Sequence, residues 1–204
     1  MKRSVWGLNL LNSMLIVLIG AVIQLVGIYF YLRETIRGKT QPNKVSWLMW
    51  SIAPFIASIA AFSDGARWAT LPVFMAGFTA LLVFIASFVN PKAYWKIEIF
   101  DYICGFCSVL ALLLWGITKE PLVAIIFSII SYAFAAVPTI IKSWKYPDSE
   151  SIETYFAGLF NALSSFFALK TFSISELAFP IYLVLESSLL TILVYRGRLK
   201  DKHN

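Results

Sequence analysis

The sequence predicts an all-α, polytopic membrane protein of seven transmembrane helices, arranged as two parallel three-helix repeats joined by a linker helix. Three observations carry that expectation. The 204 residues are 59% hydrophobic and only 14% charged, with a mean hydropathy of +0.77, whereas a soluble domain carries about 25% charged residues. Apolar runs of about 20 residues recur along the chain, long enough to cross a hydrocarbon core of about 30 Å. Part of the sequence also resembles another part at a fixed offset, as described below.

Segments of this length must be helical, because lipid offers no partner for a free backbone N–H or C=O. A transmembrane β-barrel would need alternating segments of about 10 residues, and the sequence has no such pattern. The expected spans are roughly 8–32, 44–62, 70–89, 98–117, 121–143, 151–169 and 175–196. The breaks between them are short, so the chain forms one integral membrane domain. Repeat one covers about 8–89, the linker helix about 98–117 and repeat two about 121–196. The apolar stretch from Leu8 to Leu32 exceeds the 7–15 residues of a signal-peptide core and is read as a retained first helix.

An odd number of spans puts the termini on opposite sides, and the basic residues choose between them. Lys2, Arg3, Lys119 and Lys170 fall with Arg67 on one side. Arg33, Arg37, Lys39, Lys44, Lys92, Lys96, Lys142, Lys145, Arg196, Arg198, Lys200 and Lys202 fall on the other. The positive-inside rule then predicts an outside N-terminus and a cytoplasmic C-terminus in the cell (plasma or inner) membrane. Tyr31, Trp47, Trp95, Trp144 and Tyr195 lie near the cytoplasmic boundary and are expected to form an interfacial belt. The net charge of +6 suits basic loops beside a bilayer and gives no reason to expect nucleic acid as a partner.

Offsetting the chain by 105 residues lays Ile36-Arg37 over Ile141-Lys142, Pro42-Asn43 over Pro147-Asp148 and Ser46 over Ser151. Trp50 then falls on Tyr155, Ala57 on Ala162 and Phe62 on Phe167, and after a three-residue shift Pro72 falls on Pro180. Each copy reads as a basic helix end, a proline turn and a serine opening the next helix. Two such units separated by one helix run parallel. Transporters use this pattern, with a site near the bilayer midplane and one unit rocking against the other.

The residues Ala136-Val137-Pro138-Thr139-Ile140, Lys142-Ser143-Trp144-Lys145 and Pro147-Asp148-Ser149-Glu150-Ser151, with Ile36-Arg37-Gly38-Lys39-Thr40 and Gln41-Pro42-Asn43-Lys44-Val45-Ser46-Trp47 in the first half, resemble the PQ-loop superfamily. That superfamily includes the SWEET sugar facilitators and the lysosomal amino-acid exporters. The likeness implies the three-one-three layout, the orientation and hinge prolines. Pro138 matches the motif proline, while Thr139 stands where the motif has glutamine, and Gln41-Pro42 is reversed and lies in a loop. More closely, the chain looks like a set of small bacterial membrane proteins, a likeness that implies no activity.

Glu186 sits near the middle of the seventh span. A carboxylate there costs at least about 2.5 kcal/mol on insertion scales, so it is expected to face the bundle interior. There it would serve as a proton-coupling site, a counter-ion for the solute, or a structural acid bonded to a neighbouring Ser or Asn. Gln24, Thr79, Tyr132 and Asn161 lie at similar depth, and the repeat-related Trp50 and Tyr155 would flank a solute with their rings. A few hydrogen-bonding groups in an apolar cavity suit a small polar molecule such as a sugar, amino acid or vitamin. The plainer reading of each is packing and hydrogen bonding between helices. Pro138 and the mid-helix Pro54 are the hinge candidates, whereas Pro72 and Pro180 are expected in first turns. Asp101 is expected to cap the linker helix, with a proton relay as the other reading.

Cys104-Gly105-Phe106-Cys107 spells a CxxC, but with two cysteines in the chain and one histidine in the tail it implies neither redox nor metal chemistry. The sequence has no nucleophile–histidine pair, phosphate-cradling loop or HExxH spacing, so neither an enzyme nor a cofactor is expected. The expected function is a transporter or facilitator of a small polar solute, compatible with proton coupling and with a homo-oligomer. The alternatives are a membrane receptor or interaction protein on the same fold, and a lipid-handling or structural protein.

Overall fold

A computed structural model describes residues 10–92, 95–118 and 120–201. The basic residues Lys2, Arg3, Lys119 and Lys202, and the tail His203, lie outside it. The described residues form seven α-helices: α1 (Leu10–Ile36), α2 (Lys44–Ser63), α3 (Leu71–Ala86), α4 (Ile99–Thr118), α5 (Pro121–Lys145), α6 (Ile152–Ser164) and α7 (Ile174–Asp201). Five of them, α1, α2, α3, α5 and α7, are long and apolar enough to cross a membrane, α3 with the short turn that precedes it. This is consistent with a membrane protein.

Short 3-10 turns precede α3 (Trp68–Thr70), link α5 to α6 (Pro147–Ser149) and extend α6 (Ser165–Phe167). That last turn corrects the expected sixth span of 151–169. The regular helix has 13 residues, about 20 Å at 1.5 Å per residue, short of a full crossing. Near its end the Ser164 hydroxyl bonds back to the Asn161 carbonyl at 2.6 Å, the kind of local bond that competes with regular helix.

α1 runs a turn past its expected end because Gly38 supplies the stop. Gly38 has φ +73°, its N–H donates to Thr35 O, and the Lys39 N–H donates to Glu34 O, both at 2.9 Å. This is the paired closure of a glycine C-cap. Opening residues differ between the two halves. Asn43 caps α2 by accepting from the Val45 and Ser46 N–H groups. Ser46 therefore lies inside its helix and does not open it, whereas Ser151 is the first residue before α6. Pro72 lies in the first turn of α3 as expected. Pro180 lies well inside α7, because that helix begins at Ile174 and carries the proline past its first turn.

α3 packs against both α1 and α2, and α7 against both α5 and α6; α1 lies on α6, and α2 on α5. α4 stands outside this group against α5 and α2. Small residues bring α1 onto α6. A Cβ on Gly27 would lie 2.3 Å from Ala157 Cβ and 2.9 Å from Glu153 O, and one on Gly20 would lie 2.5 Å from Ser164 Oγ. Such close backbone approach is the usual basis of helix association in lipid, where burial of apolar area provides no net drive. Outward faces remain apolar, as on α1, where Leu15, Ile19, Val22, Val26 and Tyr29 are exposed.

The loops after α1, α3 and α5 gather at one end of the bundle. Asn90 Nδ2 donates to Ile36 O, Gln41 N to Ser149 O, and Asn43 Nδ2 to Asp101 Oδ1. Asp101 Oδ2 also accepts from the Glu98 N–H at 2.7 Å, which gives it the expected capping place on α4. Two members of the expected aromatic belt, Tyr31 and Trp47, are buried instead of interfacial. Their rings pack together at 5.0 Å, and the Tyr31 hydroxyl has an internal partner described below.

The tight α1–α6 contact gives a stability prediction. Gly27→Ala should destabilise the protein by about 1–3 kcal/mol through overpacking. Gly116→Ala, with open space around its Cβ, should leave stability unchanged or raise it through helix propensity. Thermal unfolding of the two variants in detergent makes the comparison.

Candidate functional site

The seven residues proposed for binding, Gln24, Trp50, Thr79, Tyr132, Tyr155, Asn161 and Glu186, all line one cavity in the middle of the bundle. Its volume is about 50 Å³, room for a few water-sized groups. Five of the walls come from α1, α2, α3, α5 and α6, and Glu186 and Ser187 of α7 complete it. A polar side chain at mid-depth has a partner only inside the bundle, and one shared interior brings these residues to the same place.

Hydrogen bonds fix several of them. Gln24 Nε2 donates to Thr79 Oγ1 at 2.9 Å, while the Thr79 hydroxyl donates to Met75 O at 2.8 Å. Asn161 Nδ2 donates to the Pro72 carbonyl at 2.9 Å, so α6 is held to the first turn of α3. Glu186 is buried, and its nearest hydroxyl donor, Ser187 Oγ, stands 3.4 Å away, a weak bond by length. Trp50 does not face Tyr155 across an open gap. Its ring stacks on Tyr132 at 5.5 Å between centroids, and its Nε1 donates to Tyr132 O at 3.3 Å. Tyr155 turns its hydroxyl away from the cavity, onto Glu150.

That glutamate belongs to a cluster the sequence reading passed over. The Lys142 ammonium and the Glu150 carboxylate form an ion pair with both side chains fully buried. Glu150 Oε2 also accepts from the Tyr31 hydroxyl at 2.9 Å and the Tyr155 hydroxyl at 2.7 Å. Lys142 Nζ donates in addition to Gln41 O and lies over the Trp95 ring, 5.0 Å from its centroid. Lys142 is therefore not one of the loop cations facing water. The available signal was a base and an acid eight residues apart on either side of the Pro147 turn, a spacing that lets the chain fold back on itself.

Two spaces lie near the pair. On one side Tyr155 lines the central cavity; on the other Lys142 lines a vestibule of about 460 Å³ together with Gln41, Trp95, Asp101 and Pro138. The hinge candidates sit beside these features: Pro138 is buried one turn before Lys142 on α5, and Pro54 is buried one turn after Trp50 on α2. Each removes an N–H from its helix ladder. Cys104 is buried and Cys107 half-buried on α4, with no disulfide between them, and neither lines the cavity.

Comparison with family models, curated proteins and solved structures finds no match to this chain. What the fold and the site define is a class: an all-helical protein with five helices fit to cross a membrane and a small cavity lined by polar and aromatic residues inside the bundle.

The buried pair carries its own prediction. Glu150→Gln leaves Lys142 charged and unpaired and should cost about 3–5 kcal/mol, whereas Glu150→Gln with Lys142→Met should recover most of that loss. Tyr31→Phe removes one bond to a charged group and should cost about 1.5–3 kcal/mol. Thermal unfolding of the set in detergent gives the order.

Proposed function

We propose that the protein moves a small polar solute across a membrane by alternating access, with the central cavity as its binding site. The observation that carries the reading is the convergence of seven polar and aromatic residues from six helices on one cavity. Tyr155, which lines the cavity, bonds to Glu150, and Glu150 pairs with Lys142, which lines a larger vestibule. A small polar cavity joined to a vestibule through a buried ion pair suits a carrier whose path opens and closes at that pair.

In this reading α1–α3 and α5–α7 are two parallel repeats with α4 as linker, as in the PQ-loop superfamily. The reciprocal packing of α1 on α6 and α2 on α5 supports it, because two like units meeting about a shared axis exchange the same contacts. The end of α5 that carries Lys142 and the turn that carries Glu150 lie on the cytoplasmic side, with the N-terminus outside, in agreement with the distribution of basic residues. Separation of Lys142 from Glu150 opens the cavity to the vestibule, and Pro138 and Pro54 take up the bend. Glu186 is the group that couples solute to protons. Two groups holding one ion pair can be parted at modest cost only when water enters with the opening, since water then replaces the lost partner.

The test is flux of radiolabelled sugars, amino acids and amines into proteoliposomes, with and without a proton gradient. Wild-type protein should show saturable, gradient-sensitive flux of at least one solute. Glu186→Gln should abolish the gradient dependence, and Asn161→Ala should reduce flux at least tenfold. Flux indifferent to both substitutions would place the pathway elsewhere. Saturable binding without flux, lost on substitution of the exposed Arg67 beside the open groove of about 660 Å³ between α2 and α3, would favour the receptor reading.

A further inference from the structure

We propose that a basic cleft between the ends of α5 and α7 binds an anionic phospholipid by its headgroup phosphate and so braces the turn that leads to Glu150. Only the choice of leaflet rests on the orientation proposed above; the site stands apart from the transport reading. The cleft measures about 400 Å³. Its walls are the end of α5 with Lys145, the Pro147–Ser149 turn, and α7 with Arg196 and Gly197.

Charge defines the ligand. Two cations from different helices share the lining with one acid, and that acid, Asp148, has a partner of its own. Lys145 is exposed, and among the described residues no acid is paired with it. Arg196 is held in position: its guanidinium lies over the Trp144 ring, 3.5 Å from the centroid, and its Nη2 donates to Trp144 O at 3.1 Å. A long side chain ordered before the ligand arrives lowers the entropic cost of binding.

Depth identifies the anion as a lipid's. Trp144 and Tyr146 are exposed at this helix end, where aromatic rings sit at headgroup level. One turn deeper on the same helix faces, Ile141 on α5 and Ile192 on α7 are exposed as well. Cations above apolar helix faces match a phosphate above acyl chains; a soluble phosphate would use the first and gain nothing from the second. The sequence continues the charge, since Arg196, Arg198, Lys200 and Lys202 close the last span in one short stretch. Such density beside a membrane helix marks recognition of anionic lipid, which is concentrated in the cytoplasmic leaflet. The turn gives the binding its effect. Gly197 lets α7 lie against Pro147, where a Cβ would collide with the proline ring. The Glu150 N–H donates to Pro147 O, so a lipid seated here braces the segment that holds Glu150 to Lys142.

The experiment is thermal unfolding of the purified full-length protein in detergent, titrated with phosphatidylglycerol, phosphatidylcholine, dioleoylglycerol or inorganic phosphate. Binding to the folded state raises the melting temperature by mass action. Phosphatidylglycerol should give a saturable rise of several degrees. Phosphatidylcholine should need at least tenfold more lipid for the same rise, and the other two probes should give none. Lys145→Gln should weaken the phosphatidylglycerol response about fivefold, the equivalent of about 1 kcal/mol for one cation near a membrane surface. Lys96→Gln removes an exposed cation at the same end but outside the cleft, and should leave the response unchanged. Hydrogen exchange at the Ser149 and Glu150 amides should slow when phosphatidylglycerol is bound. Equal losses in the two lysine variants overturn the cleft in favour of diffuse attraction. A rise with phosphatidylcholine or inorganic phosphate equal to that with phosphatidylglycerol overturns the assignment to an anionic lipid, as does no rise with any probe. Unchanged exchange with lipid bound overturns the bracing of the turn. None of these outcomes reads solute flux, so failure here and failure of the transport reading are told apart.

Discussion

A charge placed inside an apolar bundle has to be matched there, and the contact between Lys142 and Glu150 is where this protein meets that demand. Its partners come from nearly every element at one end of the molecule. Tyr31 reaches it from α1, Gln41 from the first loop, Trp95 from the approach to α4 and Tyr155 from α6. The Gln41 N–H bond to Ser149 O ties the two equivalent loops across the same point. Removing either charge leaves the other stranded with a set of dipoles oriented for an absent partner. Four helix ends, those of α1, α4, α5 and α6, are drawn together around this one contact.

Helix packing above that end depends on small side chains. Gly20 and Gly27 let α1 lie directly on α6, which places Gln24, between them in sequence, level with Asn161. The Asn161 bond to the Pro72 carbonyl then sets the height of α6 against α3. Cavity geometry is thus a product of backbone approach as much as of the polar residues that line it. A bulkier residue at Gly27 would act on the site without touching a ligand.

Much of the site was legible in the sequence because depth in a membrane span is a strong constraint. Gln24, Thr79, Asn161 and Glu186 were each isolated polar residues in apolar runs, and each had to turn inward. The same argument could not find Glu150, which lies in a polar turn where an acid is ordinarily solvated; its burial depends on how two loops meet. Lys142 and Tyr31 were misplaced for a related reason. Basic and aromatic residues near a span end usually mark the interface, and only the tertiary packing around Glu150 draws these two inside. The start of α5 was read correctly at Pro121, whereas α1 ran a turn past its expected end to the stop at Gly38. α6 ends at Ser164 with no glycine or proline in the sequence to mark it.

The two seams that join α1–α3 to α5–α7 are made of different material. Where α1 meets α6, Gly20 and Gly27 lie against backbone and the small side chains of Ala157 and Ser164. Where α2 meets α5, the contact includes stacked aromatic rings, and each helix contains a proline. A joint of the first kind resists translation but permits pivoting about its own line, while one of the second kind can spread. Any motion of the halves under the proposed function would then be that of a book whose spine is the α1–α6 seam and whose pages part along α2 and α5, with the fore-edge on the side of the bundle where α4 stands.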